Sequence, residues 1–372
     1  GTGGSRYSAL EGQLRQLLGE FGMAQEMLEH SRIVRTGAGP SGRRQPTSAS
    51  PQLCGLTLDI GVASWQGGKE VQEDRHLLDL HLKSPEGLPI VGVCVLDGHS
   101  GSRCVEHLVA RLPGHLQACI SAMPSLTEAH LKQAVFDACL KADTEFLTRA
   151  RHLELLDGST MILAFLFPEA SQRSPAAASR MRLLVANVGD SRAVLARAVG
   201  GTAKAVGSQL TALRLSDDHK PNRPDEQRRI QARGGVVDHH GVWRVFVPSL
   251  VSFGGRAFPR WGLAVSRAFG DLLLKEPERY GCSSVKPGGL VIAEPEFDSA
   301  EVDPDTDRFL ILACDGIWDV LRDEDAVAVC ASQAGAELAS HSLVRHSFAA
   351  GSGDNLTALV VSWQRPPGAH TG

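Results

Sequence analysis

The sequence has no apolar run long enough to cross a bilayer. Its 8 cysteines are scattered, with no C-x-x-C pair and no zinc-type spacing, so a thiolate metal site is not expected. Cys94 and Cys314 sit inside apolar runs, where cysteine acts as a small hydrophobe. Basic charge is not in excess. The formal net charge is -4, so nucleic acid is not expected as a partner. The first residues lack a charged stretch followed by an apolar core, so no secretory leader is expected. Together these absences point to a reducing compartment, cytosol or nucleus.

What is there is a globular composition, 42% hydrophobic and 22% charged over 372 residues. That length buries a sizeable core, as one large domain or two ordinary ones. If an initiator Met precedes Gly1, the stretch Gly1 to Ser5 fits the G-x-x-x-[ST] pattern for N-myristoylation and membrane anchoring; a flexible tail explains the same residues. Leu10, Leu14, Leu17, Leu18, Phe21, Ala24 and Leu28 recur at helical spacing and predict an amphipathic helix over residues 8–30. The Gly-, Pro- and Ser-rich stretch from Thr36 to Pro51 reads as a linker. An extension of residues 1–50 therefore precedes a main domain of residues 51–366, with 367–372 as a tail.

Within the main domain, apolar runs predict strands at Leu56–Ala63, Val91–Leu96, Met161–Phe167, across MRLLVANVGDSRAVLARA, at Phe309–Cys314 and at Leu356–Trp363. Helical periodicity covers Cys104–Ile120, Leu126–Ala150, Pro221–Arg233, a stretch from Asp323, and Ala336–Ala350. Residues 168–180 read as a polar insertion, and Val236–Trp261 as an irregular surface flap. Strands joined by hairpin turns, with helices grouped between them, argue an α+β domain built on antiparallel sheets.

Asp74, Asp97, Asp190, Asp271, Asp315 and Asp354 share one placement, at the edge of an apolar strand-like run. Any one of them alone reads as a turn or cap residue; an Asp-Gly pair such as Asp97-Gly98 most often closes a hairpin. As a set, charged groups at strand ends are costly unless paired or bound to metal, and no comparable set of Arg or Lys stands at these points. Carboxylates and backbone carbonyls without thiolates suit Mg²⁺ or Mn²⁺. Two such ions together can bind a phosphate and activate a water.

The blocks EDRH, VLDGHSG, DGST, ANVGDSRAVL, LAVSRAFGD, LACDGIWDV and GDNLTALVV resemble, in that order, those of the metal-dependent (PPM, type 2C) serine/threonine protein phosphatases. The resemblance runs over residues 53–364. It implies an α+β fold, a sandwich of two antiparallel sheets flanked by helices in four layers, α-β-β-α. It also implies two Mn²⁺ or Mg²⁺ ions, with a weaker third, and hydrolysis of phosphoserine and phosphothreonine in protein substrates by a water activated between the ions. A monomer is expected.

Carried onto this sequence, the family pattern has Asp97 bridging both metals and Gly98 offering its carbonyl. Asp271 and Asp354 complete one metal's shell, while Glu73 and Asp74 hold metal-bound waters. Asp190, with Asp271, serves the third metal. His99 is the general acid, and Thr160 and Asn355 support the ligands from behind. Asp315 and Asp319 read mainly as scaffold, capping the helix that follows. Two positions depart from the pattern. Lys69 stands where the family has an arginine that grips the substrate phosphate, and it offers a point charge in place of a two-donor fork. Ser100 follows the histidine where glycine is common, and a positive φ there would strain it. Two rival readings share the fold: a binding module without catalysis, and a hydrolase of small phosphate esters. The full set of carboxylates favours an enzyme over the first.

Overall fold

The computed structural model of the protein describes residues 51–169, 180–200 and 209–365. The predicted helix over 8–30, the linker, the myristoylation pattern, the tail and most of the polar insertion after Pro168 lie outside the described residues.

The alternating runs pair into two antiparallel sheets. One runs Glu296–Val302, Met181–Val188, Met161–Pro168, Pro89–Leu96, Arg75–Lys83. The other runs Gln52–Leu53, Leu56–Trp65, Leu356–Gln364, Asp307–Ala313, Arg192–Ala198, Leu210–Arg214.

Side-chain alternation explains why the first sheet reads as unbroken apolar runs. Ile90, Cys94 and Leu96, with Leu163 and Phe165, share one core with Leu108, Leu112 and Phe146 of the helices Arg103–Ser121 and Glu128–Leu153. The intervening Val91, Val93, Val95, Ile162 and Ala164 share a second core with Leu195, Ile311 and Leu359 of the other sheet. A strand covered on both faces has no polar side to display. Each fully buried Leu, Ile or Phe contributes about 1.5–3 kcal/mol relative to exposure. The helices Asp323–Ala331 and Ala336–Ala349 cover the six-stranded sheet, which completes four layers.

The stretch expected to be irregular is instead ordered as two hairpins. Val236–His240 pairs with Val242–Phe246 around Gly241, and Val251–Phe253 pairs with Arg256–Phe258 around Gly254-Gly255. Val237 packs against the core and Val245 is buried within it, so the pattern is a short amphipathic β-ribbon on which the glycines set the turns. Preceding it is the helix Pro224–Ala232, which is bound to the sheet edge by charge. Buried Glu226 accepts from Arg229 and Arg267, each at 2.8 Å, and Arg267 also reaches Glu296 on the edge strand at 2.7 Å.

Burial alone would raise the Glu226 carboxyl, but Arg267 and Arg229 overcome it and hold the group at about 2, below its ordinary 4.5. With the folded value below the unfolded one, this stabilisation is complete above pH 4.5 and is lost as pH falls toward 2. It amounts to roughly 3 kcal/mol at ~1.4 kcal/mol per unit. Urea unfolding of the parent and of Glu226→Gln, compared above and below pH 4.5, should show a shallower acid loss in the variant. Equal pH slopes would mean that the arginines do not hold this carboxylate.

Candidate active site

Strand ends bring the acidic residues together at one place. Asp97 follows directly on Pro89–Leu96, and Asp190 lies in the turn between Met181–Val188 and Arg192–Ala198. Asp315 opens the short helix after Asp307–Ala313, and Asp74 immediately precedes Arg75–Lys83. Ligand-capable oxygens of Asp97, Asp190 and Asp315 all lie within 4.8 Å of one another, and Asp97 also belongs to a second such group with Asp74 and the Cys314 sulfur.

Crowding of like charge shows in the acidities. Withdrawal from water, then the carboxylates of Asp315, Asp74, Asp190 and Asp354, hold Asp97 well above the ordinary carboxylate range. Burial, then Asp190 and Asp319, do the same to Asp315, with Lys220 opposing. Asp74 is 2% exposed, and neither of its oxygens makes a hydrogen bond. Burial pushes it up to about 6; nearby Thr357 and Cys314 oppose that rise without meeting either oxygen at bonding geometry. A buried carboxylate without donors at Asp74, within groups that are almost all oxygen, fits a hard divalent cation.

His99 stands beside this cluster. A small three-stranded ladder sets it there: Gly98-His99 pairs with Gly158-Ser159, which pairs in turn with Phe269-Gly270. The ladder faces His99 toward Asp271, with Nε2 at 2.9 Å from each carboxylate oxygen. Gly158 lies against both groups, and a Cβ there would overlap the ring and the carboxylate together. Burial disfavours the charged ring, but Asp271, Asp190 and Glu73 outweigh it and hold His99 above its ordinary value. Asp271 takes a left-handed φ of 52°. Its N–H donates to the Asp157 carbonyl at 3.0 Å, and buried Asp143 accepts from the preceding Gly270 N–H at 2.8 Å.

The residues expected to support the cluster do so through the backbone. Thr160 N–H donates to the Asp97 carbonyl at 2.8 Å, and its hydroxyl meets Ser191 at 2.9 Å. Asn355 accepts from Glu73 N–H at 2.9 Å and donates to the carbonyls of Gln66 and Val71 at 2.8 and 3.0 Å, so it fixes the loop ahead of Asp74. The Glu73 carboxylate accepts from Gly101 N–H at 2.6 Å and stands outside both groups. A Cβ on Gly98 would meet the Glu73 carbonyl at 2.7 Å, so the two strand ends approach only because Gly98 has none.

Two readings change, those of Asp315 and of the cations. Asp315 is not a helix cap: the N-cap is Cys314, and the Asp315 carboxylate belongs to the cluster. Asp271 and Asp354, both expected among the ligands, stand outside both groups, where Asp271 faces His99 and Asp354 faces Lys69. Cations do stand at the site: Lys220 ion-pairs with Asp190, and Lys69 meets Asp354 at 2.8 Å on the exposed rim. Lys220 carried no signal in the sequence, because it ends a polar turn that touches Asp190 only in space. Asp315 had a signal, an Asp-Gly after an apolar strand like that at Asp97, which the cap reading absorbed.

The family model described as protein phosphatase 2C matches residues 58–356. "Probable protein phosphatase 2C 52" of Oryza sativa subsp. japonica is 36% identical over 307 residues, 82% of this chain and 51% of that protein. "Probable protein phosphatase 2C 76" of Arabidopsis thaliana is 35% identical over 308 residues, 83% of this chain and 60% of that protein. The chain thus spans between half and two thirds of the length of these two relatives. Among solved structures, a serine-threonine phosphatase 2C from Toxoplasma gondii aligns with a TM-score of 0.63 and 24% identity, covering 87% of this chain and 98% of that one. That likeness is one of fold, and it bears out the expected sandwich.

Ser100 adopts φ 60°, the strained case, and its hydroxyl makes no hydrogen bond among the described residues. A left-handed L-residue costs roughly 1–2 kcal/mol, of which glycine's extra unfolded entropy returns about 0.5–1. Ser100→Gly should therefore stabilise the protein by up to about 1 kcal/mol in thermal or urea unfolding. A destabilised variant would show that the serine is not strained there.

Proposed function

Because the chain belongs to the protein phosphatase 2C family, we propose that it is a metal-dependent serine/threonine protein phosphatase, acting on phosphoserine and phosphothreonine in proteins. The observation that carries this reading is the Asp97 carboxylate, shared between two acidic groups beside a histidine that Asp271 meets through Nε2. Two Mg²⁺ or Mn²⁺ ions would be held by Asp97, the Gly98 carbonyl, Asp74, Asp315 and Asp354, with Glu73 at their edge. A weaker third would lie toward Asp190. When bound, the ions supply Lewis acidity toward phosphate and water, and positive charge that offsets the carboxylates.

The chain's own residues then have separate tasks. Asp271 favours the charged form of His99 through Nε2, against the effect of burial. The ring's Nδ1 has no protein partner among the described residues, so its proton is free for the leaving seryl or threonyl oxygen. Asp271 is on this reading the partner of the ring rather than a ligand. Lys69 stands at the rim with a single charged donor, which can pass from Asp354 to a substrate phosphate. Asn355 and Thr160 hold the loop and the strand end on which the carboxylates sit.

Phosphate release from a phosphothreonine peptide should require added Mn²⁺ or Mg²⁺ and stop with chelator. Asp315→Asn should weaken Mn²⁺ binding in calorimetry roughly 10- to 100-fold, the size typical of a lost metal-site contact. Asp271→Asn should leave metal binding near that of the parent while lowering turnover. Full activity in chelator-treated buffer would end the metal-dependent reading; unchanged Mn²⁺ affinity in Asp315→Asn would remove Asp315 from the site.

His99→Ala should lower turnover of the phosphopeptide by about 10²–10⁴-fold, the range for a positioned general acid. An aryl phosphate, whose acidic phenol leaves without protonation, should lose far less. Equal losses on both substrates would exclude His99 as the proton donor. A protein that hydrolyses the aryl phosphate but no phosphopeptide would be a small-ester hydrolase.

A further inference from the structure

We infer that the segment from Lys220 to Arg267, which contains the flap and the helix before it, is a docking surface for acidic segments of phosphorylated protein substrates, a statement that deepens the phosphatase reading and rests on it. The segment is joined to the site at both ends. Lys220 ion-pairs with Asp190, and four residues beyond Arg267 the chain reaches Asp271, the partner of His99. Between these anchors the charge differs sharply from that of the whole chain. Residues 220–267 carry nine Lys or Arg and three Asp or Glu, a local formal charge of +6 in a protein whose net charge is -4.

Several of these cations have no work inside the fold. Arg228 on the helix Pro224–Ala232, Arg244 on Val242–Phe246 and Arg256 on Arg256–Phe258 have neither an ion-pair nor a hydrogen-bond partner among the described residues. Arg244 lies opposite Asp238 in the ladder, yet the Asp238 carboxylate is occupied by Arg260 and His240. Unpaired guanidinium groups offer fork-shaped donors to carboxylates. On the same side of the ribbon as Arg244, Val242 is 49% exposed, which gives an arriving peptide an apolar contact. The inward side of the ribbon is fixed, since Val245 is fully buried in the core. The surface is therefore a preformed platform.

The acidic cluster explains the need for such a surface. Its carboxylates repel acidic side chains flanking a phosphate, so attraction for an acidic chain must come from outside the cluster. Basic groups on a segment joined to the cluster steer anionic chains toward it. Arginines with an exposed tryptophan also suit an anionic membrane surface. The peptide is favoured because both ends of the segment terminate on residues of the site.

The test uses two phosphothreonine peptides of equal length, one flanked by Asp and Glu and one by Ser and Gly. Their binding to the full chain in Mn²⁺ is followed by fluorescence anisotropy, and phosphate release is measured separately. The acidic peptide should bind roughly 3- to 10-fold tighter, as a few exposed ion pairs allow, and the difference should shrink at high salt. In the combined variant Arg228→Glu, Arg244→Glu, Arg256→Glu the preference should vanish or invert. Its melting temperature and its hydrolysis of an aryl phosphate should match the parent, since these side chains have no ion-pair or hydrogen-bond partner among the described residues. Equal affinities in the parent, or a preference that survives in the variant, would overturn the inference. So would binding to phosphatidylserine vesicles that the variant loses in the absence of any peptide preference. Preferential binding without phosphate release from either peptide would uphold the docking surface and reject the phosphatase reading instead.

Discussion

Mutual repulsion among carboxylates gathered at the strand ends is the constraint on which the rest of the structure depends. Asp97 takes part in both acidic groups, and burial together with four other carboxylates holds its carboxyl well above the ordinary range. Charges of one sign do not gather unless something rigid holds them and something positive compensates them. The protein supplies only part of the compensation, through Lys220 at Asp190 and Lys69 at Asp354. The remainder is left for a cation.

Rigidity comes from the sandwich. Strand ends are fixed by ladders buried on both faces, so a carboxylate one residue past a strand inherits the strand's position. Where a strand end is not enough, a side chain binds the backbone: Asn355 spans from its own turn to residues 66, 71 and 73, and Thr160 holds the Asp97 carbonyl. The left-handed backbones at Ser100 and Asp271 belong to the same balance. Local strain and unpaired charge are tolerated beside a core large enough to carry them.

Charge also divides the molecule between its regions. The strand-end cluster is acidic and the segment from Lys220 to Arg267 basic, and they meet where Lys220 touches Asp190. Arg223, Arg267 and Arg229 are neutralised inward by Glu226 and Glu296, which attaches the flap to the sheet edge. Arg228, Arg244 and Arg256 are left facing outward. One segment thus carries structural arginines on its inner side and free ones on its outer side.

The sheet strands, the long helices and the family blocks were legible in the sequence because each depends on short-range periodicity or on adjacent residues. Val91 to Leu96 declares a buried strand wherever it lies, and Asp97-Gly98-His99 follows it directly. The flap hairpins were harder to see, since ribbons this short alternate over too few residues to stand out from a loop. Which carboxylates meet was not legible at all. Asp271 and Asp315 both follow apolar segments and look alike along the chain, but the three-stranded ladder sends Asp271 to His99, and the strand Asp307–Ala313 delivers Asp315 to Asp97. Lys220 reached Asp190 by the same route, across 30 residues of chain. The sequence alone determined the fold class and the kinds of group available for chemistry, because these follow from local pattern and residue type. Only the tertiary structure decided which groups are partners, because an ion pair or a shared metal ligand depends on distances set by strand pairing.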